Sequence, residues 1–262
     1  MTLHVETTGQ GPSLVLLHGW AMDAGVWGSL PDRLARRHRV HAVDLPGHGR
    51  STPPTAFTLD AVVTALDAAF ALEPRPFTVL GWSLGGLLAM RWALAHPTRV
   101  ARLILVATTP RFVASKDWDH GLPRQMLERF GDELRVAPKA TVLRFLSLQV
   151  HGSEHARATL ASMRERLFAR GEPLPATLAG ALEVLDGTDL RADVAALALP
   201  TLLVTGDRDT VVLPGAGAWL AGQMPDAEFV RIAGAAHAPF LSHPGAFDAA
   251  VESFLDADRA AA

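Results

Sequence analysis

The sequence has no cysteine. That excludes disulfides, thiolate nucleophiles, iron–sulfur clusters and zinc–thiolate sites, and it suits a reducing compartment. It also lacks any run of about 18 apolar residues, so no transmembrane helix is expected. Residues 1–10 show neither the basic start nor the apolar stretch of a signal peptide, and the expected location is the cytoplasm. Positive charge is not in excess. Lysine and arginine total 24 against 27 aspartate and glutamate, a net charge of −3. No global basic field therefore points to nucleic acid, and no nucleic-acid or membrane partner is expected. Apolar residues are plentiful, at 49% of 262. A chain of this kind furnishes a full core, which excludes disorder, collagen and coiled coil as descriptions of the whole. At roughly 150 residues per domain, one large domain with an insertion fits as well as two domains.

Short apolar runs alternate with helical patterns. Strands are expected at Leu3 to Thr7, Ser13 to Leu17, Arg39 to Val43, Phe77 to Leu80 and Val100 to Val106. Helices are expected at Val26 to Arg37, from Thr58 onward, and at Leu84 to His96, where Pro97 stops the helix. Such alternation implies a parallel, buried sheet. From about Arg111 to Asp193 no convincing strand is visible. Met126 to Phe130, Ala140 to Val150, Ala156 to Phe168 and Ala176 to Leu185 read as helices. The α/β pattern then resumes with strands Thr201 to Thr205 and Glu228 to Ile232 and helices near Gly217 to Gln223 and Ala246 to Leu255. The expected organisation is an α/β core formed by residues 1–110 and 194–262, with residues 111–193 inserted as a helical lid.

The strongest chemical signal is Gly81-Trp82-Ser83-Leu84-Gly85, followed by Gly86. This G-x-S-x-G follows an apolar strand and precedes a helix, the context in which a sharp turn lifts a serine nucleophile above a sheet. A serine hydroxyl needs a base, and the base needs an orienting acid. Two loops at strand ends supply them. Gly206-Asp207-Arg208-Asp209 follows one strand, and Ala235-Ala236-His237 follows the other. His237 is the expected base. Asp209 is the expected acid, because its spacing carries it past the strand end, and Asp207 is expected to close the turn. The oxyanion donors are expected to be the backbone N–H groups of Leu84 and Trp20. His18 is expected to organise its loop, and Trp20 and Trp82 to wall an apolar pocket. Leu87, Leu88, Met90 and Trp92 are expected in the core.

Other features carry less. His151 and His155 stand four apart, as helical metal ligands do, but no carboxylate completes a set and Gly152 weakens a helix there. They read as a solvated face, and no metal is expected. Gly47-His48-Gly49 is not a dinucleotide fingerprint. Between Arg124 and Arg170 nine basic residues face five acidic ones, an excess of +4 that leaves −7 for the rest. This is either a solvated surface or a docking patch for an acidic partner.

Taken together, the motifs resemble the α/β-hydrolase superfamily over nearly the whole chain. The matching elements are His18-Gly19-Trp20, Asp44 to Ser51, Gly81 to Gly86, Gly206 to Asp209 and His237. Within it the chain resembles the pimeloyl-[acyl-carrier protein] methyl ester esterases of biotin synthesis. The narrower cues are Arg144-Phe145-Leu146-Ser147-Leu148-Gln149 and Ala235 to Pro244. The resemblance implies a serine carboxylesterase acting on an ester carried by acyl-carrier protein; a cofactor-free monomer is expected. The resemblance also implies that Trp20, Ser83, Leu84, Phe145, Leu146, Ser147, Leu148, Gln149 and His237 contact substrate. Arg144 and Arg157 match two of the family's carrier-docking positions. The other two fall at Ala140 and Ala161, with Lys139 and Arg164 nearby as substitutes. Two alternatives stay open: another hydrolase, such as a carboxylesterase or lactonase for small free esters, and a non-catalytic binder on the same scaffold.

Overall fold

The computed structural model describes residues 1–73, 76–169 and 173–257. Arg170 of the basic stretch and residues 258–262 lie outside the described residues. Seven strands form one sheet: β1 (Val5–Thr8), β2 (Ser13–Leu17), β3 (Arg39–Val43), β4 (Phe77–Trp82), β5 (Val100–Val106), β6 (Thr201–Gly206) and β7 (Ala227–Ile232). Their order across the sheet is β1-β3-β2-β4-β5-β6-β7. β1 runs antiparallel to β3, and every other pairing is parallel. Every residue of β2, β4 and β6 is buried. These strands are covered on both faces, which is why their sequences read as continuous apolar runs and not as alternation.

Helices α1 (Leu30–Leu34), α2 (Leu59–Ala69) and α3 (Leu84–Ala95) connect the first five strands. Thr58 caps α2 by accepting the Ala61 N–H at 3.2 Å. α3 buries Leu87, Leu88, Met90 and Trp92, as the sequence predicts. The single helix expected over Val26 to Arg37 is instead a 3₁₀ turn, Ala24–Trp27, followed by α1. Pro31 explains the break: inside a helix it lacks the N–H and clashes with the carbonyl four residues back, so it starts a helix instead.

Four helices follow β5: α4 (Arg124–Val136), α5 (Pro138–Gln149), α6 (Ala156–Ala169) and α7 (Pro175–Gly187). Only the isolated bridges Val113–Leu122 and Ser115–Trp118 pair there among the described residues. The chain then returns through β6, α8 (Pro214–Gln223), β7, the short α9 (Pro239–Ser242) and α10 (Pro244–Asp256). No helix of the described residues is long and apolar enough to cross a membrane.

The topology locates the site. After β2 the chain moves to β3 on one side, and then returns to β4 on the other. The loops leaving β2 and β4 therefore diverge from adjacent strands, the crevice where open α/β sheets bind ligands.

Candidate active site

Ser83 follows β4 directly and stands before α3 with φ 55° and ψ −117°. A non-glycine residue in this region is strained and persists only where its surroundings hold it. Here the Ser83 N–H donates to the Val106 carbonyl at 2.9 Å, and the Thr108 hydroxyl donates to the Ser83 carbonyl at 2.7 Å. The glycines of the motif permit the turn. A Cβ on Gly81 would lie 2.3 Å from the Gly85 carbonyl oxygen, and one on Gly85 would lie 2.1 Å from that of Leu17. Only hydrogen side chains let α3 pack this closely on the ends of β2 and β4.

His237 arrives on the loop after β7. The Ser83 hydroxyl donates to its Nε2 at 2.9 Å, and its Nδ1–H donates to Asp209 Oδ2 at 2.8 Å. The other Asp209 oxygen accepts the N–H groups of Val211 at 2.8 Å and Val212 at 2.9 Å. All three side chains are buried. A carboxylate so held keeps the imidazole in the tautomer that presents a lone pair to the serine. The His237 loop is fixed by its main chain. Its N–H donates to the Gln149 carbonyl at 3.0 Å, and the Trp82 indole N–H donates to its carbonyl at 2.7 Å. Asp207 lies apart from this chain and accepts the Gly234 N–H at 2.8 Å.

The loop after β2 is organised by buried histidines. His18 Nδ1–H donates to the Gly19 carbonyl at 2.8 Å, and its Nε2 accepts the Leu45 N–H at 2.9 Å. Burial holds His18 down at about 4, partly offset by the Gly19 bond. The neighbouring His48 is held down at about 3, by burial first and by His18 second. Asp44 ties two loops by accepting the Ala24 N–H at 2.7 Å and the Arg50 N–H at 2.9 Å.

A cavity of about 260 Å³ opens on Ser83. Trp20, Phe112, Met126, Phe130, Phe145 and Leu148 are among the apolar side chains that wall it, and among the described residues His151 is its one titratable side chain. The Trp20 indole N–H donates to the Leu178 carbonyl at 3.0 Å, and its ring meets Phe130 and Phe145 edge-on at 5.4 and 5.0 Å.

The other sequence-predicted positions divide. Phe145 and Leu148 line the cavity. Leu146 packs in the core, the Ser147 hydroxyl bonds to the Leu143 carbonyl, and buried Gln149 meets the His237 loop through its main chain. Trp82 lies behind the triad and not in the cavity wall. Leu84 is buried at the start of α3. Among the basic positions, Arg144 pairs with Glu133 across α5 and α4 and lies over the Phe130 ring. Arg157, Arg164 and Lys139 are exposed. Arg166, on the same helix as Arg157, donates to the Gly25 carbonyl at 3.0 Å. His151 and His155 fall between α5 and α6, not on one helix face.

Sequence reasoning did not find the walls that α4 and α7 contribute, including Met126, Phe130, Leu182 and Leu185. The apolar faces of those helices were the available signal. Thr108 left none, since its role depends on the close approach of Gly86, where a Cβ would lie 2.6 Å from the Thr108 Cβ.

Known proteins share this fold. The family description "alpha/beta hydrolase fold" matches residues 12–244. A Chromobacterium violaceum protein named pimeloyl-[acyl-carrier protein] methyl ester esterase is 45% identical over 256 residues, covering 98% of this chain and 99% of its own. A Nitrosomonas europaea protein of the same name is 42% identical over 246 residues, covering 94% and 96%. The solved esterase of Exiguobacterium antarcticum superposes with a TM-score of 0.90 at 20% identity, covering 97% of this chain and 96% of that one, a likeness of fold alone. The chain belongs to the α/β-hydrolase family, within the group whose members bear the name pimeloyl-[acyl-carrier protein] methyl ester esterase.

Proposed function

We propose that this protein is a serine carboxylesterase that hydrolyses the methyl ester of pimeloyl-acyl-carrier protein, a step that the sequence resemblance assigns to biotin synthesis. The observation that carries the reading is the hydrogen-bonded chain Ser83–His237–Asp209 opening onto an apolar cavity, in a chain 45% identical over 98% of its length to a relative of that name.

Ser83 attacks the ester carbonyl while His237 accepts its proton, and Asp209 stabilises the resulting imidazolium. The N–H groups of Leu84 and Trp20 hold the oxyanion, with the N-terminus of α3 adding a favourable field. His237 protonates the departing methoxide. It then activates water, which releases the acid from the acyl-enzyme. The apolar walls suit a methylene chain, at roughly 0.8 kcal/mol per buried CH₂. They disfavour the newly formed carboxylate, since a charge in an apolar cavity is costly. The same walls therefore admit the neutral ester and repel the product.

Residues 111–193 form the lid over residues 1–110 and 194–262. Arg144, Arg157, Lys139 and Arg164 present its basic face to the acidic carrier. On this reading the enzyme is a cytoplasmic monomer that needs no cofactor.

A fluorophosphonate tests the nucleophile: it labels the wild type and not Ser83→Ala. Steady-state kinetics test the substrate. The carrier-linked methyl ester is expected to show a higher kcat/KM than methyl esters of small free acids. Equal values would transfer the assignment to a general carboxylesterase or lactonase.

A further inference from the structure

Behind the catalytic loop lies a cluster that the esterase chemistry does not use. Glu154 and His155, which precede α6, meet His243, which precedes α10. One ligand atom from each lies within 4.8 Å of the others. The two imidazole rings stand 5.0 Å apart.

His243 is prepared as a ligand. Its Nδ1–H donates to the Ser242 hydroxyl at 2.9 Å, and that hydroxyl donates to the Ala238 carbonyl at 3.2 Å. The relay fixes the proton on Nδ1. In the neutral ring Nε2 keeps its lone pair, and it is buried with no hydrogen-bond partner among the described residues. It faces Glu154 Oε2 at 4.0 Å, too far for a hydrogen bond. A lone pair opposite a carboxylate oxygen is unfavourable unless a proton or a metal cation stands between them. The other Glu154 oxygen already accepts from Arg208 at 3.1 Å, which leaves Oε2 for the ion.

We propose that Glu154, His155 and His243 bind a zinc ion that bolts the helical insertion to the start of α10, one short helix after the loop that carries His237. Two imidazoles and a carboxylate suit zinc, not magnesium or calcium. Zinc bonds of about 2.0–2.2 Å place tetrahedral ligands roughly 3.4 Å apart, so the exposed Glu154 and His155 need only small rotations. Ser242 is the outer-shell partner that orients the ligating ring. The sequence pairs His155 with His151, four residues away, and finds no carboxylate. The fold replaces His151 with His243, 88 positions after His155, and supplies the carboxylate from Glu154, the residue before His155.

The bolt would act near the reaction without entering it. The Glu154 N–H donates to the Gly234 carbonyl at 3.0 Å, and the loop from Gly234 leads to His237. Zinc would reinforce that main-chain link and the neighbouring one from the His237 N–H to the Gln149 carbonyl.

The test is calorimetric titration of ZnCl₂ into tag-free, chelator-stripped protein, with thermal unfolding measured in parallel. One zinc per chain is expected, with an unfolding midpoint that rises with zinc. His155→Gln and His243→Gln should each bind roughly tenfold or more weakly, a loss of about 1.4 kcal/mol or more, and should lose the zinc-dependent rise. His155 is exposed, so its variant keeps the test valid even where His243→Gln fails to fold. No binding by the wild type at millimolar zinc, or unchanged binding by His155→Gln, would overturn the proposal.

Discussion

The indole N–H of Trp82 donates to the main-chain carbonyl of His237 at 2.7 Å. The residue before the proposed nucleophile thus grips the residue proposed as its base, and both lie buried. Strand β4 positions both partners of the proposed proton transfer: Ser83 through the chain and His237 through this bond.

Replacing Trp82 with Phe keeps most of the ring and removes the donor. The buried carbonyl of His237 is then left unsatisfied, at a cost of about 1–3 kcal/mol. Chemical denaturation should show that loss, and steady-state kinetics should show a reduced kcat with KM little changed. Unchanged stability and kcat would mean that the bond does not position the base.

Two aspartates in one loop are assigned different work. Asp209→Asn should lower kcat on the order of 10³–10⁴-fold, because the amide no longer fixes the productive tautomer. Asp207 touches the Gly234 N–H and no triad member. Asp207→Asn should therefore cost stability and less than about tenfold in kcat. Reversed magnitudes would exchange the assignments.

Acid should destabilise the protein through His18 and His48. Unfolded, both rings take up a proton near the ordinary 6.5; folded, they resist to about 4 and about 3. His41, also lowered by burial, acts in the same direction. The stability they contribute is whole above pH 6.5 and falls as pH drops below it. The slope is about 1.4 kcal/mol per pH unit for each ring until its folded value is reached. Urea midpoints between about pH 7.5 and about pH 5 should fall accordingly, and His48→Asn should make the decline shallower. A flat profile would show that the folded protein protonates these rings readily.

Strong local grammar made much of this legible in the sequence. The G-x-S-x-G turn, the apolar strands and the loops carrying Asp209 and His237 each announce themselves within a few residues, and the structure brings the three side chains together. What the sequence left unread depends on contacts between distant segments. Trp82 was expected to wall the pocket, because a tryptophan beside a nucleophile reads that way, but its N–H finds a carbonyl 155 residues on. Leu146 and Gln149 share the segment of Phe145 and Leu148, yet helical geometry turns them toward the core. The helix expected over Val26 to Arg37 overlooked Pro31, a break that the sequence did contain.

The basic face of the insertion gives a separable expectation. Arg144→Glu combined with Arg157→Glu should raise KM for a carrier-linked ester by roughly tenfold or more, while small free esters react as before. Arg144 also pairs with Glu133, so a thermal melt must accompany the kinetics. Equal losses on both substrates would refute a docking role.

The most direct measurement is mass spectrometry of pimeloyl-acyl-carrier protein methyl ester after incubation with the wild type and with Ser83→Ala. The account predicts loss of one CH₂ unit from the carrier species with the wild type and none with the variant. An unchanged carrier species with the wild type, or equal loss with both proteins, would contradict it.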